Sequence, residues 1–194
     1  MSGGARRVGG ARRALAGVAL AAWLAAPAAL LAQAETPRSL ELEDGKRIDY
    51  LLRTHPADAH LVKPATVLAP TTALDAARLL NLHLSTGDIE EAALLSNSPR
   101  RRFEVLQDYR RTIGDDEFRR VFAEYFDPKN KLLAEVVIGP HSMLVWNQAN
   151  TSTLAGQFFV KMDDGRYLVD DIPNPVRTSL RQVLDAYRAG KIPQ

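Results

Sequence analysis

Histidine titrates near neutrality and is the commonest transition-metal ligand, so the four histidines of the chain, His55, His60, His83 and His141, come first. No two have the spacing of a helical zinc site and no histidine–glutamate motif accompanies them, so no metal ligand set is assigned. His55 and His60 lie in a proline-rich stretch and read as solvated loop residues; His83 sits among leucines and reads as a boundary or core residue. His141 falls at a turn between two predicted strands. That is where a general base on a pocket rim would stand, although an exposed turn histidine is the simpler reading. The carboxylates form no working pair. Asp163 and Asp164 belong to a hairpin turn. Asp170 and Asp171 are consecutive near a strand end, which sends their side chains to opposite faces and at most one into a cavity. There is no Gly-x-Ser-x-Gly elbow and no glycine-rich phosphate loop. With no cysteine in 194 residues, disulfides, thiolate metal sites and a cysteine nucleophile are excluded. No catalytic residue and no cofactor is assigned.

Arginine is concentrated at Arg100, Arg101, Arg102, Arg110, Arg111, Arg119 and Arg120. Such a run can dock an acidic partner, a phosphate-bearing ligand or anionic headgroups. The interleaved Glu104, Asp108, Asp115, Asp116 and Glu117 favour a solvated helical face instead. Nothing resembles a nucleic-acid-binding module. Four aromatics, Tyr109, Trp146, Phe158 and Tyr167, are the candidates for lining a ligand cavity, since an apolar body with a polar tip suits a selective pocket; a plain packed core would use them equally well.

The first 34 residues read as a cleavable secretory leader. Arg6, Arg7, Arg12 and Arg13 precede an apolar run from Ala14 to Leu31, no acid occurs before Glu35, and Ala32-Gln33-Ala34 offers small side chains for cleavage near Ala34. A retained membrane anchor is the rival reading, weakened by Pro27 and by the alanine content. The expectation is a bacterial protein of the periplasm or secreted beyond it. The leader also explains the charge: the chain carries net +2 with pI near 9.0, but without the four leader arginines 21 basic groups face 23 acidic ones, net −2. The basic pI therefore argues for neither nucleic acid nor, once the leader is removed, membrane binding.

About 160 residues remain, enough for one domain with its own core. Residues 35 to 70 contain four prolines and read as a hairpin through Asp44-Gly45 or as an arm over the domain. Thr72 caps a helix with apolar positions Leu74, Ala77, Leu80, Leu82 and Leu84, Asp75 answers the cap, and Gly87 stops it. Asp88, Ser98-Pro99 and Asp115 start three further helices. After Asp127-Pro128 the period changes to two: strands are expected over 132–138, 142–148, 154–162 and 166–172, the last two joined through Asp163-Asp164-Gly165. Asn174-Pro175 opens a final helix with one apolar stripe, Val176, Leu180, Val183, Leu184 and Tyr187. The fold class is α+β: N-terminal helices packed on a curved antiparallel sheet, with an extra C-terminal helix, residues 71–190 forming a single domain.

The helix running into Gly87-Asp88-Ile89-Glu90, followed by short helices and then an antiparallel sheet, resembles the nuclear transport factor two-like superfamily over roughly Thr72 to Ile172. The final helix and the segment before Pro70 depart from that pattern. The resemblance implies a conical cavity between helices and sheet. The family's isomerases place acidic and phenolic groups there, and none is matched residue by residue in this chain. Three roles are expected on these grounds. The first is an exported soluble binding or accessory domain for a small apolar ligand or a protein. The second is an isomerase or cyclase using acid/base chemistry in the pocket. The third is an interaction protein whose last helix docks on a partner or a second copy, forming a homodimer; a buried stripe would remove that third idea.

Overall fold

The computed structural model describes residues 35–56, 58–63 and 66–193. The secretory leader proposed for residues 1–34 lies outside the described residues. Six antiparallel strands form one open sheet in sequential order, β1 (Glu35–Glu41), β2 (Arg47–Arg53), β3 (Lys131–Ile138), β4 (His141–Asn147), β5 (Ala155–Lys161) and β6 (Tyr167–Val169). Four helices, α1 (Ala73–Thr86), α2 (Ile89–Leu94), α3 (Pro99–Ile113) and α4 (Asp115–Ala123), come between β2 and β3, and α5 (Pro175–Arg188) closes the chain.

Local chemistry explains the boundaries. The Thr72 hydroxyl accepts from the Asp75 backbone N–H and donates to the Asp75 carboxylate, so two polar groups at the start of α1 satisfy each other. Gly87 ends α1 at φ +82°, a left-handed conformation that a β-carbon would strain. Asp88 and Asn174 accept from the backbone N–H groups of Glu91 and Arg177 and cap α2 and α5. Of the segment read as a hairpin or arm over residues 35 to 70, β1 and β2 form a hairpin, and β2 pairs β3 from Leu51 to Arg53, which puts these two strands in the main sheet.

Strand alternation separates two cores. Leu144 and Trp146 face one way, with Leu132, Phe159 and Val169, and bury against α1 to α4. Met143 and Val145 face the other way, with Ala134, Val136, Ile48 and Tyr50, and bury against α5. An irregularity between Leu132 and Ala134 lets neighbouring residues of β3 serve opposite cores. α5 can approach because residue 156 is glycine: a β-carbon there would lie 2.7 Å from Leu184 Cδ2.

Two expectations change. Leu82, counted in the apolar stripe of α1, is 38% exposed, because the face that buries Leu80 and Leu84 turns position 82 to solvent. The stripe of α5 is covered within the monomer, Leu180, Val183, Leu184 and Tyr187 all being buried, so it is not free to dock a partner. Within the segment after β2, Ala59 and His60 are not solvated. Ala59 packs into the first core, the His60 ring lies edge-on to the core residue Trp146 and its Nε2 meets the Asp127 carbonyl at 2.9 Å.

Candidate functional site

β6 is three residues long and pairs only with Phe159 to Lys161, which leaves the Gly156–Phe158 half of β5 without an outer strand. The outer edge of β6 is covered by the α2–α3 linker: Val169 N–H donates to the Leu95 carbonyl and Asn97 N–H to the Val169 carbonyl. After Val169 the chain turns toward α5. A cleft of about 310 Å³ opens in this gap, floored by Leu80, Leu84, Leu106, Phe122 and Phe159.

Two amides interrupt the apolar floor. Asn81, 3% exposed, projects from the buried stripe of α1; Gln157 projects from β5 on the same side as Ala155 and Phe159. Gln157 Nε2 stands 3.5 Å from Asn81 Oδ1, and Gln157 Oε1 is buried with no hydrogen-bond partner among the described residues. Tyr125 completes this end; burial pushes its phenol above the ordinary value, against a hydrogen bond to Gln148 that lowers it.

At the mouth Asp170 and Asp171 both line the cleft, which corrects the expectation that at most one would. β6 ends at Val169, so strand alternation does not govern them. Asp170, 1% exposed, accepts from Asn97 Nδ2 at 3.0 Å and from Asn174 Nδ2, and meets His141 Nδ1 at 3.0 Å. Asp171 accepts from Ser96 Oγ at 2.7 Å and pairs with Arg102 Nε at 2.9 Å. A second hollow of about 210 Å³ shares Arg102, Asp171 and Arg177 with the cleft and adds Arg101 and Arg181. The cleft and this hollow adjoin, giving an apolar interior with an arginine-lined entrance.

Of the four aromatics singled out above, Phe158 lines the cleft, with the Arg177 and Arg181 guanidinium groups 5.4 and 5.9 Å from its ring centre. Tyr109 is 39% exposed and packs on Phe118 and Phe122. Trp146 and Tyr167 sit in the first core, away from the cleft lining. His141 is held against Asp170 rather than exposed at its turn, its side chain 14% accessible. His55 is paired with buried Glu135 at 3.0 Å and so is not a solvated loop residue. Among the described residues no three histidine, aspartate or glutamate side chains are grouped to hold a metal ion.

Sequence reasoning passed over Asn81, Gln157, Arg177 and Arg181. Each had a signal: Asn81 falls on the apolar stripe between Ala77 and Leu84, Gln157 alternates in step with inward residues, and Arg177 and Arg181 place like charges four apart on one helix. Two larger hollows, of about 590 and 490 Å³, lie over the β1–β2 hairpin, but they are open depressions rimmed by charged side chains such as Arg47, Asp49, Glu41 and Glu43. Among the described residues, neither is lined by a buried polar group awaiting a partner. No family model, curated protein or solved structure matches the chain.

Proposed function

We propose that this chain is an exported binding module that takes the apolar body of a small molecule into the cleft between α1, α3 and β5. The observation that carries this reading is the unpartnered Gln157 Oε1 inside a walled cleft floored by Leu80, Leu84, Leu106, Phe122 and Phe159. An unsatisfied buried acceptor costs about 1–3 kcal/mol, so a ligand that donates to it gains affinity and orientation together. Apolar walls with a few placed polar groups, and a volume at the small end of the usual range, suit a compact ligand. The conical cavity implied by the nuclear transport factor two-like resemblance supports the same reading.

An acid/base isomerase has less support. The groups facing the cleft floor are amides and a phenol, and both carboxylates at the mouth are committed to neighbours. The export part of the proposal rests on the arginine-led leader and Ala32-Gln33-Ala34; N-terminal sequencing of periplasmic material should begin at Glu35.

The binding part is tested with a panel of small neutral aromatics and aliphatics that carry one N–H or O–H donor, screened against the purified protein by thermal shift and by side-chain NMR. Binders should move the Gln157 amide and the Leu80 and Leu84 methyl signals. Leu84→Trp, which fills the cleft, should abolish binding, and Gln157→Leu should weaken binding while leaving stability equal or higher. Binding that survives both substitutions would place the ligand elsewhere and end the reading.

A further inference from the structure

Most arginines among the described residues are ion-paired, and the exceptions cluster. Among the described residues every arginine sits in an ion pair with a carboxylate except Arg38, Arg101, Arg177 and Arg181. Three of those four line the hollow at the mouth of the cleft. Arg177 Nε is buried without a hydrogen-bond partner among the described residues, and Arg177 also lines the cleft itself. Arg177 and Arg181 stand one helical turn apart, both over the Phe158 ring. Like charges at that spacing repel, and a neighbouring aromatic face offsets only part of that. Burial, then the charge of Arg181 beside it, lowers the affinity of Arg177 for its proton, against the pull of Asp170 and Asp171.

Resting on the cleft reading above, we infer that the ligand is an amphipathic organic carboxylate whose apolar body lies on the α1–β5 floor and whose carboxylate sits between Arg177 and Arg181. The planar guanidinium of Arg177 offers the fork of donors that matches a carboxylate. A single negative charge fits better than two. Arg102 is already neutralised by Asp171, and Asp170 and Asp171 stand at the same entrance, so a phosphate dianion would meet repulsion that a carboxylate largely escapes. Phe158 forms the collar between the charged entrance and the apolar interior, where a ligand of this kind changes from polar to apolar.

The test compares three probes on the purified protein by calorimetry: 4-phenylbutyrate, its neutral isostere 4-phenylbutanamide, and phenyl phosphate. The carboxylate should bind at least about tenfold tighter than the amide, the ratio expected when a charge-assisted hydrogen bond replaces a neutral one. That preference should disappear in Arg177→Gln/Arg181→Gln. Arg181 is exposed and Arg177 half-buried, and neither belongs to the core that α5 packs, so the variant should fold, and circular dichroism checks this. Equal affinity for carboxylate and amide in the wild type, or a preference that persists in the double variant, overturns the carboxylate inference and leaves the cleft reading standing. Tighter binding of phenyl phosphate replaces the carboxylate with a phosphate ester and also overturns it. If no probe binds and the neutral panel fails as well, the cleft reading falls and takes the inference with it.

Discussion

Glu135 shows how much one buried carboxylate does outside the cleft. It projects from β3 into the first core face with its side chain 3% exposed, Arg53 Nη1 at 3.0 Å and His55 Nε2 at 3.0 Å. Burial pushes the carboxyl up, but the His55 hydrogen bond and the Arg53 charge outweigh it and hold Glu135 below its ordinary value near 4.5. A carboxyl whose folded value is depressed stabilises the fold fully above its unfolded value, and that contribution drains away as pH falls through the folded one. Glu135→Gln should therefore lose about 2 kcal/mol at neutral pH, the cost of replacing a charged acceptor of two hydrogen bonds by a neutral amide with one acceptor oxygen. Urea midpoints of wild type and variant should converge as pH is lowered below about 4.5. A gap unchanged from pH 7 to pH 3 would show that the pair does not contribute through charge.

At the scale of elements, Gly156 sets how closely α5 lies on β5. A β-carbon at residue 156 would meet Leu184 Cδ2 at 2.7 Å and Met143 Sδ at 3.5 Å, so Gly156→Ala forces α5 outward or Leu184 into a poorer rotamer. The expected loss is about 1–2 kcal/mol, typical of an overpacked core. Leu184→Val on the same background should recover part of it, and a double-mutant cycle measured by chemical denaturation reads the coupling directly. Strict additivity would mean that residues 156 and 184 do not share that space. Helix starts were the most legible elements, because Thr72, Asp88 and Asn174 carry their capping chemistry within three residues. β5 and β6 were legible as a hairpin through Gly165, but their unequal pairing was not. β6 ends at Val169, which Leu95 and Asn97 of the α2–α3 linker hold along its outer edge, a contact between distant segments. The site was hidden for the same reason: residues 81, 102, 157, 171 and 177 converge only when α1, α3, β5 and α5 are assembled. The Arg102–Asp171 pair likewise shows why a charge run is a poor guide to individual residues. Arg100, Arg110, Arg111, Arg119 and Arg120 pair on the surface as expected, and Arg102 turns inward.

For the whole molecule, one sheet serves two cores, and the cleft is walled by elements of both: Leu80 and Leu106 belong to the first, Phe158 and the α5 residue Arg177 to the second side. A ligand held there bridges the two halves, so its binding energy should appear as global stability and not as a local tightening. At a free concentration about 100 times its dissociation constant, a ligand that binds only the folded state adds about 2.7 kcal/mol. For a domain of this size each kcal/mol raises the melting temperature by about 2–4 °C, so a saturating ligand should raise it by about 5–10 °C. Native-state hydrogen exchange makes the sharper test. Amides in α1, α3, β5 and α5 should all slow together on saturation, because opening any of those elements releases the ligand. Slowing confined to α5 would mean that the probe only coats the arginine-lined entrance and never enters the cleft. The Leu84→Trp variant separates the two cases: with the interior filled, joint protection of α1 and β5 should vanish, and any effect left at α5 measures the entrance alone.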